Sequence, residues 1–277
     1  MNEFKTIMLC ADDFGFTPGI SHGILKLVRM QRLSAVSCMV NTADFIPYAG
    51  ELLDLKDQVQ IGLHFNLTDG PLLSDPSKQG FGLIELLMKT HLRLINPTVI
   101  AQEFNAQLDK FIQIMGFLPD FIDGHLHVHQ FPRIRQVILD IYEQRLRSKR
   151  TPVRATYPAI SLKPYQLKAR ILALTGGRAL QHCLEQRDIP HNRYFSGIYD
   201  FSCGVPYRTL FRQWLALAPS NTLIMCHPGD GIGITDGIAP ARPIELDYLL
   251  SDDLLRDCHE FRVVLALPSD RPRALKQ

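Results

Sequence analysis

The sequence predicts an α/β fold, a single (β/α) barrel of TIM-like type with room for distortion. Three observations predict it. Short apolar runs alternate with amphipathic segments along the chain. The length of 277 residues is within the range of one barrel and can bury a large core. The polar residues that break the apolar runs fall at their C-terminal ends, where α/β enzymes gather their chemistry.

The apolar runs cover residues 6–11, 35–40, 59–67, 120–125, 153–156, 222–227 and 262–266. Each suits a strand buried on both faces. Residues 18–31 place Ile20, Ile24, Leu27 and Val28 at helical spacing, with Thr17 as N-cap ahead of Pro18 at the first helical position. Residues 97–115, 131–147, 206–218 and 244–258 show the same period. Strand and helix in alternation argue for parallel βαβ units, arranged either as a barrel or as a doubly wound sheet. No repeat, low-complexity tract or linker divides the chain, so residues 1–277 read as one domain. Excursions near 69–97 and 157–204 suit long loops that shape a pocket. Lys163, Lys168, Arg170, Arg178, Arg187 and Arg193 lie in the second excursion, either as a solvated helix face or as contacts to an anionic substrate.

Composition excludes several classes. Apolar residues make up 46% and charged residues 21%, as in an ordinary globular protein. A net charge of +2 without basic runs among aromatics argues against a nucleic-acid partner. No stretch reaches the roughly 18 apolar residues that span a bilayer, and Asp12-Asp13 cut the first apolar run too short for a signal segment. A cytoplasmic location is the expectation. The six cysteines have no C-x-x-C pair and read as reduced thiols. A homodimer is compatible with the sequence.

The chemistry gathers in four places. His125, His127 and His129 alternate just after the strand-like Phe121-Ile122. On an extended chain, residues two apart share a face, so all three could turn toward one metal pocket. A polar strand end bonded to carbonyls or water is the other reading. Asp12-Asp13 end the first run, His64 interrupts the third, and His227-Pro228 end the sixth. Each alone has a structural explanation, the aspartates as a helix cap or turn and the histidines as satisfied core groups. Together, at the ends of parallel strands, they can form an Asp-His-His metal site with open water positions, a second carboxylate as base and a histidine as acid.

These segments carry a resemblance. Ala11-Asp12-Asp13-Phe14-Gly15, residues 61–68 around His64, Asp123-Gly124-His125-Leu126-His127-Val128-His129 with Phe131-Pro132, and Met225-Cys226-His227-Pro228 resemble, in order, the YdjC-like carbohydrate deacetylase family, which includes the chitooligosaccharide deacetylases. Arg154 and residues 242–254, with Glu245-Leu246, extend it over nearly the whole chain. The resemblance implies an α/β barrel related to the polysaccharide deacetylases and metal-dependent removal of N-acetyl groups from amino sugars. It implies that Asp13, His64 and His125 hold one divalent metal, magnesium or zinc, with Asp12 as general base and His227 as general acid. Adjacent aspartates can exchange these duties. His127 and His129 become substrate-facing or supporting groups, and Arg154 would orient a carboxylate or the carbonyl oxygen. The aromatics of residues 194–201 would stack on sugar or pack the loop onto the barrel. Another metal-dependent amidohydrolase or phosphoesterase, and a non-catalytic sugar-binding protein of the same fold, are the alternatives.

Overall fold

A computed structural model describes residues 4–268. Among them seven strands form one all-parallel sheet: β1 (Lys5–Phe14), β2 (Ala35–Cys38), β3 (Gln60–Phe65), β4 (Ile122–Gly124), β5 (Tyr194–Ser196), β6 (Thr222–Cys226) and β7 (Val263–Leu265). The order is β4-β3-β2-β1-β6-β5, and β7 pairs with the start of β1. Around the sheet run α1 (Pro18–Arg29), α2 (Phe45–Asp54), α3 (Leu83–His91), α4 (Pro97–Met115), α5 (Ile134–Arg145), α6 (Gln166–Leu172), α7 (Arg178–Gln186), α8 (Tyr207–Leu217), α9 (Ala241–Leu250) and α10 (Asp252–Glu260). Parallel strands need such crossovers; their helices cover the outer face of the curled sheet, and side chains from the strands fill the inner one. β2, β3 and β6 are accordingly buried at every residue.

The sheet curls into a distorted (β/α) barrel, as the sequence predicts. The gap between β4 and β5 is bridged by residues 151–160, which form no regular strand. Ile122 N–H donates to Pro152 O at 2.8 Å, Arg154 N–H to Ile122 O at 2.8 Å and Val153 N–H to Pro190 O at 2.9 Å. The Asn192 side chain takes both backbone groups of Ala155, each at 2.8 Å. The strand expected at 153–156 is thus a single bridge between Ile122 and Val153. Pro152 has no N–H to donate, and a side chain replaces the neighbouring backbone where a ladder would continue.

Local signals explain the best-read elements. Thr17 Oγ1 accepts from Ile20 N–H ahead of Pro18. α4 begins with an Asn96 cap before Pro97 and ends at Gly116, which has φ of 79°. Gly62 lies within β3 because a Cβ there would stand 2.4 Å from the Phe121 ring. The helix expected at 244–258 is two, broken at Ser251 in extended conformation. The Ser251 hydroxyl donates back to Tyr248 O at 2.7 Å, and Asp252 and Asp253 favour a fresh N-terminus there. The second excursion is mostly ordered structure. It contains α6, α7 and β5, and β5 is a barrel strand of three residues. The first contains α3. No helix among the described residues is long and apolar enough to cross a membrane, and all six cysteines are free thiols.

Candidate functional site

Two adjacent residues of a regular strand point to opposite faces. Asp12 and Asp13 escape that rule through a bulge. β1 pairs Ala11 with Val36 and then Phe14 with Cys38, so both aspartates stand opposite the single residue Ser37. Asp13 takes a left-handed φ of 71°, which re-aims its side chain. Both carboxylates consequently line one cavity of about 420 Å³ at the C-terminal ends of the strands, together with His64, His125, His127 and His227.

Asp13, His64 and His125 each offer a ligand atom within 4.8 Å of the others, and all three are buried. Asp13 Oδ1 lies 3.3 Å from His64 Nε2 and 2.8 Å from His125 Nδ1. The far side of each imidazole is also committed. β3–β4 register sets His64 beside Asp123, and His64 Nδ1 sits 2.6 Å from Asp123 Oδ1, which also accepts from the Ser37 hydroxyl at 2.5 Å. His125 Nε2 sits 3.1 Å from Asp69 Oδ2. Asp13 Oδ2 accepts from Arg242 at 2.6 Å, and Arg242 Nε donates to Asp236 at 2.9 Å.

The field here favours positive charge. Five carboxylates, Asp12, Asp13, Asp69, Asp123 and Asp236, share the ion-pair cluster with only two guanidiniums, Arg154 and Arg242. Burial alone would keep His64 neutral, but the charges of Asp123 and Asp12 outweigh it and push the imidazole up to about 10. Burial likewise opposes ionisation of Asp13, and Arg242 with His125 holds it well below the usual carboxylate range. One carboxylate oxygen, two imidazole nitrogens and an excess of negative charge fit a divalent cation such as magnesium or zinc. A carboxylate behind each histidine is the usual support of a metal ligand.

A second cluster, Cys10, Asp12 and Asp123, has similar spacing, but a cation already fills it. Arg154, with its side chain fully buried, donates to both oxygens of Asp12 at 2.6 Å, contacts Asp123 Oδ2 at 2.6 Å and reaches Cys10 Sγ at 3.0 Å. Burial works against the Asp12 charge, yet Arg154 prevails and holds the carboxyl below its ordinary range. His227 Nε2 stands 4.0 Å from Asp12 Oδ2, beyond hydrogen-bond reach. Its backbone N–H donates to the buried Glu245 at 2.7 Å, and Glu245 also accepts from the Tyr199 hydroxyl at 2.5 Å. Phe201 packs edge-on against the His227 ring, with centroids 5.2 Å apart. Tyr199 packs against Trp214 and Tyr207 and so fastens the loop, and both Tyr199 and Phe201 wall the cavity.

The histidine triplet does not share a face. Residues 125–130 form a tight 3-10 turn in which Leu126 and His127 have φ of 51° and 58°. A Cβ on Gly124 would come within 2.9 Å of the His129 ring, so only glycine lets the turn fold back there. His125 alone faces Asp13. His127 packs against Phe195, and His129 Nε2 bonds Arg154 O at 3.0 Å. Burial lowers both of these imidazoles, that of His129 to about 4 despite the nearby Asp123 charge. His127 lines the cavity and His129 supports Arg154 from behind. Nothing in the sequence singles out Asp69, Asp236 or Ser37. Asp123, Arg242 and Glu245 lay in noted segments without a role.

Fold and site define a distorted parallel α/β barrel carrying an Asp-His-His donor set and two aspartate–arginine pairs at its strand ends. The chain belongs to the YdjC-like protein family, whose model matches residues 6–260. The family expected from the four motifs is therefore borne out. A chitooligosaccharide deacetylase of Yersinia enterocolitica is 29% identical over 277 residues, covering 96% of this chain and 99% of that protein. A chitooligosaccharide deacetylase of Yersinia pestis is 29% identical over 260 residues, covering 90% and 92%. Among solved structures, an Enterococcus faecalis protein described as a candidate for cellobiose-phosphate cleavage superposes with a TM-score of 0.70 at 19% identity, covering 96% of this chain and 98% of that one. That likeness shows the fold.

Proposed function

We propose that this chain is a metal-dependent hydrolase that removes the N-acetyl group from an amino sugar, giving acetate and a free amine. The observation that supports this most strongly is the division of labour between adjacent carboxylates. Asp13 faces two imidazoles, whereas Asp12 is clamped by Arg154 and faces His227 across 4.0 Å of the same cavity. The names of the Yersinia relatives agree with it. Residues 1–277 act as one domain in this reading.

Asp13, His64 and His125 would hold the divalent metal, which when bound lowers the pKa of a water molecule and polarises the acetamide carbonyl. Asp12 is the base. Arg154 keeps it ionised and fixes both of its oxygens, so it stands ready to accept a proton from the attacking water. Arg154 itself is buried behind Asp12 and acts by orienting the carboxylate, not by touching the substrate. His227 is the acid, its backbone tied to Glu245 and its ring steadied by Phe201, and it gives a proton to the departing amine.

Acetate release from a panel of N-acetylated mono- and oligosaccharides tests the reading. Asp12→Asn and His227→Ala should each lose about 10²- to 10⁴-fold in kcat with the fold retained. Binding of amino sugars without turnover would point instead to a sugar-binding protein. Turnover confined to phosphoester or cyclic-amide substrates would point to another hydrolase.

A further inference from the structure

We propose that Asp69 is a positioning residue for His125, holding the imidazole so that Nδ1 is presented to a divalent cation beside Asp13. The inference rests on the metal-centre reading above and adds a residue that the motifs leave out. His125 is gripped at both nitrogens: Nδ1 lies 2.8 Å from Asp13 Oδ1, and Nε2 lies 3.1 Å from Asp69 Oδ2. With Nε2–H donating to Asp69, Nδ1 keeps its lone pair for a metal. Asp123 stands in the same relation to the other imidazole, 2.6 Å from His64 Nδ1, while Nε2 faces Asp13. Each histidine of the donor set therefore has its own carboxylate behind it, one from a strand and one from a loop.

A loop carboxylate orients a ring only if the loop is held. This one is held by a buried amide network. Asn66, fully buried, accepts from the N–H groups of Thr68 and Asp69 at 2.9 and 3.1 Å and donates to Asp69 O at 2.7 Å. Asn41 donates to the same carbonyl at 3.2 Å. Gln107 of α4 clamps Asn66 from below, accepting from its N–H at 3.0 Å and donating to its carbonyl at 2.6 Å. The Thr68 hydroxyl then donates to Asp69 Oδ2 at 2.7 Å, fixing the oxygen that meets His125. These contacts tie the end of β3 to α4 and aim one half-exposed carboxylate at one ring nitrogen.

Zinc affinity measured by competition with a chromophoric chelator tests the proposal on wild type, Asp69→Asn, Asp69→Ala and His125→Ala. Asp69→Ala should weaken zinc about 10- to 100-fold. Asp69→Asn, which keeps an acceptor oxygen, should recover part of that loss. The visible bands of the cobalt-loaded protein should shift in Asp69→Ala, a change that loop packing alone would not cause, while the metal-free melting temperature stays near that of wild type. Wild-type zinc binding with Asp69→Ala within twofold of it would overturn the role of Asp69 and leave the metal centre standing. Zinc binding unaffected by His125→Ala would instead overturn the metal centre and the proposal with it.

Discussion

Arg154 should be the most consequential single side chain for stability, and Arg154→Met tests this with little change in volume. The guanidinium is fully buried and makes two 2.6 Å hydrogen bonds to Asp12 and one 2.6 Å contact to Asp123, whose side chain is likewise fully buried. Removing it strands two carboxylates away from water. Breaking a buried ion pair from one side costs about 3–5 kcal/mol, and the loss of several charge-assisted contacts puts this site near the upper half, about 4 kcal/mol. With an m-value of about 3 kcal/mol/M, the urea midpoint should fall by about 1.3 M. The assay is equilibrium urea unfolding of the metal-free protein followed by tryptophan fluorescence, with Asp12→Asn and the double variant completing a thermodynamic cycle. The double variant should be more stable than Arg154→Met alone, because one stranded charge is gone. A shift below about 0.3 M, equivalent to less than about 1 kcal/mol at the same m-value, would refute the argument that Arg154 is what keeps these carboxylates tolerable.

His129 makes the fold sensitive to acid. Its imidazole is held at about 4 by burial, below its ordinary 6.5, so the unfolded chain takes up the proton first as pH falls. Its contribution is fully present above pH 6.5 and is lost toward pH 4, by about 3 kcal/mol. Urea midpoints across that window should flatten in His129→Gln. Among the three neighbouring histidines, His125→Ala should abolish zinc binding measured by equilibrium dialysis, whereas His129→Ala should leave it within about tenfold, the lower end of what supporting partners cost. Phe201→Ala removes the ring that steadies His227 and should lower kcat for acetate release more than it raises KM, a split that steady-state kinetics reads directly.

Much of the site was legible because polar residues at the ends of apolar runs are easy to see. Asp12, Asp13, His64, His125 and His227 stood out in this way, and parallel strands bring them together. Their partners were harder, for a physical reason. The Asp123 role depends on cross-strand register with His64, which no local pattern encodes. Asp69 depends on a loop folded back by Asn66 and Gln107 across 41 residues of sequence. Alternation in the histidine triplet suggests extended chain, whereas the missing side chain of Gly124 lets the backbone turn in left-handed steps. β5 has only three residues, too few to show a period. The 153–156 run is apolar like a strand, but Pro152 and Asn192 replace its ladder. α2 carries Pro47 in its first turn, and its sequence shows no clear helical signature.

In the proposed reaction Asp13, His64 and His125 would hold a metal for hydrolysis of an acetamide by Asp12 and His227. The most direct test is acetate release from N-acetylated oligosaccharides by the zinc- or magnesium-loaded protein, repeated after chelation and after reloading. Turnover that disappears on chelation, returns with metal, and is lost in Asp12→Asn while zinc stays bound is the predicted result. Turnover undiminished in the stripped protein, or in Asp12→Asn, would contradict it.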